Sequence, residues 1–161
     1  MPVNIYNSPI GRLYMEEENG YITRLSKELP NLAYGKSQQP TPLIKDAMHQ
    51  LDEYFSGQRR EFNIPIKPSG TQYMKSIWNQ LVKIPYGSTL SYSQVAELTG
   101  NKKGARSAGM ACGRNPILIL IPCHRVIGAD GSLTGFACGL NTKIALLRLE
   151  GVTGFKIPYS L

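Results

Sequence analysis

Metal ligands and membrane-length hydrophobic runs are scarce in this chain of 161 residues. Its only histidines are His49 and His124, and no cysteine precedes Cys112, so a structural zinc site in the first half has no soft ligands to use. The three cysteines, Cys112, Cys123 and Cys138, lie in one segment, and an odd count argues for reduced thiols over a disulfide framework. No apolar run approaches the roughly eighteen residues of a membrane span. The first twenty residues carry Glu16, Glu17 and Glu18 and no apolar block of signal-peptide length. These absences predict a cytoplasmic protein with no membrane partner, no metal and no cofactor.

Acidic residues are also missing where they would matter. Residues 1–70 hold eight basic and eight acidic side chains, whereas residues 71–161 hold ten basic and three acidic, so the whole net charge of +7 sits in the second half. Between Glu97 and Asp130 there is no carboxylate, while Lys102, Lys103, Arg106, Arg114 and Arg125 fall inside that interval. A field of one sign attracts a polyanion, nucleic acid being the usual one; a solvated basic face without a partner is the alternative.

What is present suggests two small α+β domains divided near residue 69, covering 1–69 and 70–161. Strand-like stretches at 3–6, 12–15 and 21–25, punctuated by Ser8-Pro9 and Asn19-Gly20, predict a small antiparallel sheet. Apolar residues at helical spacing over 41–55 predict a helix that covers it, closed by Gly57. The connector Pro65, Pro68, Ser69, Gly70 follows. A helix over 71–84 comes next, then a second from Ser91 to Gly100 with Gln94 as capping-box partner, and a third over 103–113 after a short turn, which is helix-turn-helix spacing. In the third helix nearly every side chain is small. Its interior Gly109 costs about 1 kcal/mol against alanine, which points either to close packing by another helix or to close approach of a DNA groove, with Arg106 as the long side chain in the middle.

The apolar run Ile117 to Leu120 predicts a buried strand ending at Ile121-Pro122-Cys123-His124-Arg125. A thiol where a strand runs out, after a proline and beside an imidazole, suits nucleophilic chemistry. Adjacent residues in extended chain point to opposite sides, so a contact between Cys123 and His124 requires a turn or a bridging water. The last helix, 140–150, ends on Glu150, where the macrodipole disfavours a carboxylate; the glutamate is either solvent-exposed or held by a partner such as His124.

Pro122-Cys123-His124-Arg125-Val126 resembles the active-site signature of the O6-alkylguanine-DNA alkyltransferases. Ser91-Tyr92, Ala105-Arg106, Asn115-Pro116, Gly135-Phe136 and the segment 146–151 fall where that family's pattern expects them, so the resemblance covers 71–152; over 1–70 it rests on length, on Ser8 to Gly11 and on the helix before Gly57. The resemblance implies a ribonuclease-like first domain and a winged helix-turn-helix catalytic domain. It implies a DNA repair protein that moves an alkyl group from guanine O6 onto Cys123 once and irreversibly, with O4-alkylthymine left open as a second substrate. Its partner would be double-stranded DNA containing O6-alkylguanine, and the protein a monomer. Carried over to this chain, Cys123 is the nucleophile, His124 draws its proton through a water, Glu150 orients the imidazole and Asn115 braces the turn. Tyr92 would donate near guanine N3, the carbonyls of Cys123 and Val126 would read the exocyclic amine, and Phe136 and Ala137 would line the pocket. Arg106 would fill the gap left by the flipped base from the minor groove, with Ala105 and Gly109 beside it. The thiol would stand at the mouth of a cavity sized for an everted purine. Phe136 stands where relatives usually have tyrosine, and Cys138 where they usually have glycine, which would narrow the pocket against bulky adducts. Two other readings compete: a lesion sensor of the kind that lacks the cysteine, and a cysteine hydrolase with multiple turnover.

Overall fold

A computed structural model describes residues 3–28, 39–133 and 139–157, and the chain divides into two compact units. The first comprises 1–69 together with 116–120; the second comprises 70–115 and 121–161. Among the described residues, no helix is long and apolar enough to cross a membrane.

In the first unit, β1 (Val3–Ser8), β2 (Gly11–Glu18) and β3 (Tyr21–Ser26) form an antiparallel meander. Asn19 and Gly20 both have positive φ, 51° and 84°, as the tight hairpin turn between β2 and β3 requires. Leu13 and Met15 alternate onto the buried face of β2, but the buried residues of β3, Ile22 and Leu25, are three apart. The irregularity that shifts the register between Glu16 and Glu17 reconciles them, because the extra residue on β3 returns both side chains to one face. The helix α1 (Pro42–Phe55) starts on Thr41, whose hydroxyl accepts from the Ile44 amide at 3.1 Å, with proline at the position that lacks an amide partner anyway. It buries Ile44, Ala47, Leu51 and Tyr54, and Tyr6 of β1 donates its hydroxyl to Asp52 at 2.6 Å.

The run 117–120 is not the strand its composition suggests. Ile117 alone bridges Leu25 in parallel, through Leu25 N to Pro116 O at 2.9 Å and Leu118 N to Leu25 O at 2.8 Å. The chain then folds back in a γ-turn, Leu120 N donating to Leu118 O at 2.7 Å around Ile119 at φ 70°. A β-branched residue there is strained by about 1–3 kcal/mol, which the buried surroundings must offset. These residues are buried because they complete the first unit beside β3, where a second bridge, Ile22 to Ile66, also lies.

In the second unit, α2 (Gln72–Leu81) is capped by Thr71 and buries Trp78, whose indole donates to Ala111 O at 2.9 Å. The helix α3 (Tyr92–Leu98) carries the full capping box between Ser91 and Gln94. After the turn 99–104 comes α4 (Ala105–Gly113), giving the helix-turn-helix pair. Two residues each of β4 (Leu90–Ser91) and β5 (Val126–Ile127) pair in parallel, and α5 (Leu140–Leu149) closes on Glu150. Leu133, Ile144 and Leu147 form a hydrophobic cluster with Ile127, Leu140, Val152, Phe155 and Ile157 around them.

Candidate active site and nucleic-acid interface

Pro122 sets the geometry of the thiol. Its φ of −81° and ψ of 66° make an inverse γ-turn, in which Cys123 N donates to Ile121 O at 2.8 Å; the ring favours that φ. A single 3-10 turn, Cys123–Arg125, follows, so the extended geometry that would separate Cys123 from His124 does not apply. Asn115 sits beneath it: its side-chain amide donates to Ile121 O at 2.7 Å and to Cys123 Sγ at 3.1 Å. Cys123 is 2 % exposed, so the thiol lies deeper than the cavity mouth expected from sequence, because the turn tucks all three of its side chains inward.

Glu150 is buried too, which overturns its reading as a solvent-exposed helix end. One carboxylate oxygen lies 2.6 Å from His124 Nε2 and 3.0 Å from an Arg125 terminal nitrogen. The other accepts from Arg125 Nε at 2.8 Å and from the Gly87 amide at 3.2 Å. The bidentate guanidinium offsets both the helix dipole and the desolvation of the carboxylate. Burial pushes the His124 pKa below the ordinary imidazole range, against the opposing pull of Glu150, and Arg125 and Lys143 push the same way as burial. We therefore assign a neutral ring that donates from Nε2 to Glu150. Nδ1 then carries the lone pair, and this buried atom has no hydrogen-bond partner among the described residues.

Sequence reasoning missed two cations here. Arg125 completes the carboxylate cluster and also donates to Ile84 O at 2.7 Å. Lys143, wholly buried on α5, donates to the Tyr92 hydroxyl at 3.1 Å and to Val126 O at 2.6 Å, and so joins two of the expected substrate-binding groups. The signal for Lys143 was available: it stands three and four residues before Leu146 and Leu147, on the apolar stripe of its helix, where a lysine needs buried acceptors. Cys112 is a different kind of thiol. Burial first, and its neighbour Cys123 second, push its pKa up to about 12.

Tyr92 also faces outward. It borders a cleft of about 510 Å³ with Ser93, Ala105, Arg106, Gly109 and Met110. A Cβ built on Gly109 would lie 3.7 Å from the Tyr92 ring, ordinary contact distance, so packing inside the protein does not demand glycine there. Of the residues expected in the site, Cys123, His124, Glu150 and Asn115 come together in the interior, Ala105, Arg106 and Gly109 line the outer cleft, and Tyr92 belongs to both. Phe136, Ala137 and Cys138 lie outside the described residues. No group of three metal-ligating side chains occurs among the described residues.

The family model for the 6-O-methylguanine DNA methyltransferase ribonuclease-like domain matches residues 1–68, and that for the DNA binding domain of 6-O-methylguanine DNA methyltransferase matches 72–152. The methylated-DNA–protein-cysteine methyltransferase of Methanosarcina acetivorans is 42% identical over 158 residues, covering 91% of this chain and 96% of the relative. That of Haemophilus influenzae is 41% identical over 159 residues, covering 96% and 86%. A crystal structure of Mycobacterium tuberculosis OGT in complex with DNA is 37% identical, covers 94% of this chain and 93% of its own, and superposes with a TM-score of 0.87. With both domains matched in order and such identity across most of its length, this chain belongs to the 6-O-methylguanine DNA methyltransferase family.

Proposed function

We propose that this protein repairs double-stranded DNA by taking the alkyl group of O6-alkylguanine onto Cys123, once per molecule. The observation that carries the reading is the buried His124 imidazole, held through Nε2 at 2.6 Å by Glu150, with Nδ1 unpartnered among the described residues and the ring in the same turn as the thiol. A water between them hands the thiol proton to Nδ1. Sulfur then attacks the alkyl carbon, the S–C bond forms as the C–O6 bond breaks, and the electron pair of the broken bond stays with the purine. The product is a thioether, which has no good leaving group, so one molecule repairs one lesion.

The remaining roles are proposed from the family resemblance, with the contacts that support them. Because Lys143 donates into the Tyr92 oxygen, the phenolic proton is directed elsewhere, toward guanine N3, where it offsets charge developing on the leaving base. The carbonyls of Cys123 and Val126 accept from Val126 N and Lys143 Nζ, and both are proposed to accept from the exocyclic amine. The family resemblance alone proposes Phe136 and Ala137 as pocket residues. O6 is out of reach in a stacked duplex, so the nucleotide is flipped, with Arg106 in its place and Ala105 and Gly109 letting the helix enter the groove. We read the protein as a cytoplasmic monomer, since the chemistry needs one thiol, and O4-alkylthymine as a candidate second substrate.

Incubation with O6-methylguanine duplex is expected to add one methyl mass to the peptide containing Cys123, saturating at one equivalent. Less than one equivalent under saturating substrate, or label on another residue, defeats the proposal, as does multiple turnover on an ester or amide.

The acidity of His124 sets the pH dependence. Its folded pKa is depressed below the unfolded value of about 6.5, so its neutral form, the one that accepts a proton, persists as pH falls to that value. Single-turnover rates should therefore hold from pH 8 through about 6.5 and fall only when the pH approaches the lower folded pKa. Stability should begin to fall before the rate does: below about pH 6.5 the unfolded chain binds a proton that the folded state refuses until its lower pKa is reached. Denaturant midpoints and rates against pH test both; a rate that climbs on acidification would show the imidazolium to be the working form.

A further inference from the structure

Resting on the reading of α4 as the face that meets duplex DNA, we propose that Met110 is an apolar wedge that enters the minor groove one helical turn from Arg106 and loosens the base step beside the flipped nucleotide. Met110 is 59% exposed, more than any other large apolar side chain described. Single exposed apolar residues are ordinary, and Leu98 and Val82 are two of them; their positions give them no role. Met110 differs in where it stands. It borders the same cleft as Tyr92 and Arg106, and it follows Arg106 by four residues, so the two side chains rise from one face of α4.

The surroundings favour penetration. Ala105, Ser107, Gly109 and Gly113 are small, so Arg106 and Met110 stand above a low surface, and the interval from Lys102 to Arg125 contains no carboxylate to repel phosphates. In the minor groove, about 6 Å wide, apolar side chains act as wedges between base steps. Methionine is unbranched, has three rotatable bonds and a polarisable sulfur, and belongs to the side chains that part base steps and kink a duplex. Four residues advance the helix by about 6 Å. If Arg106 fills the gap left by the flipped base, Met110 therefore meets a neighbouring step, and the unstacking it causes lowers the work of everting the lesion. Met110 thus acts as a positioning residue for the duplex; it does not touch the reacting atoms.

The test compares wild type with Met110→Ala, Met110→Gln and Met110→Leu. Three quantities are measured: single-turnover repair of an O6-methylguanine duplex, reaction with free O6-benzylguanine, and duplex bending by energy transfer between end labels. Alanine and glutamine should slow duplex repair by about tenfold, well beyond any change with the free base, and reduce the bend. Leucine should restore most of both. Alanine and glutamine variants that repair and bend the duplex like wild type overturn the wedge, as do equal losses on duplex and free base, which would mark a structural role. Wild-type protein that reacts with the free base yet neither bends nor repairs the duplex overturns the reading beneath it as well.

Discussion

Cys123→Ser is expected to abolish alkyl transfer, a loss on the order of 10⁴-fold or more, while the protein still folds and binds duplex DNA. The substitution changes one atom, and the hydroxyl can accept the Asn115 amide that the sulfur accepts, so the 3-10 turn keeps its brace. What disappears is nucleophilicity toward an alkyl carbon: a hydroxyl is far less acidic and less polarisable than a thiol, so it supplies no anion comparable to the thiolate. The proposed docking side chains, Arg106 and Met110, are exposed on α4 and are untouched. Radiolabel transfer and a mobility-shift assay on the same preparation decide the matter. Persistent transfer would mean that another residue is the acceptor, and lost binding with a normal melting curve would mean that the thiol contributes to docking.

Glu150→Gln should damage both fold and chemistry. The carboxylate is the common acceptor of His124, Arg125 and the Gly87 amide, and its side chain is wholly inaccessible. An amide leaves the buried guanidinium uncompensated, at a cost of about 3–5 kcal/mol in denaturant stability. It also removes the anchor that keeps the imidazole in the Nε2–H form, and transfer should fall by about 10²–10⁴-fold. A double variant separates the two effects. Arg125→Met added to Glu150→Gln removes the stranded cation and should recover much of the stability, but none of the rate. A single variant with wild-type stability and rate would show that the carboxylate is incidental.

Local signals were legible where the determinant was local. Asn19-Gly20 supplied the left-handed turn, Thr41-Pro42 the start of α1, and Ser91 with Gln94 a capping box. The Cys123 motif located the reactive-looking turn because proline, thiol and imidazole act within five residues. Other features depended on partners far along the chain. For Glu150, the residues alone leave exposure and a His124 partner open, and they do not foretell the second partner, the guanidinium of Arg125 twenty-five residues away. The stretch 117–120 has the composition of a strand, but only Ile117 finds a ladder, and a γ-turn at Ile119 takes the rest out of register. Lys143 looked like one more contribution to the basic half, whereas the structure spends its charge internally on Tyr92 and Val126.

The stitching of 116–118 onto β3 governs how the polypeptide matures. A nascent chain that has emerged from the ribosome only as far as residue 69 can pair Ile22 with Ile66 but lacks the neighbour that Leu25 needs, so the far half of that border of β3 stays open during translation of almost fifty more residues. The two units therefore cannot fold as independent beads in order of synthesis; the first is finished by a loop of sequence that interrupts the second. For the same reason, cutting the gene at the composition boundary should yield an amino-terminal fragment prone to self-association, and a soluble one would have to carry the Pro116–Leu120 segment in some grafted form.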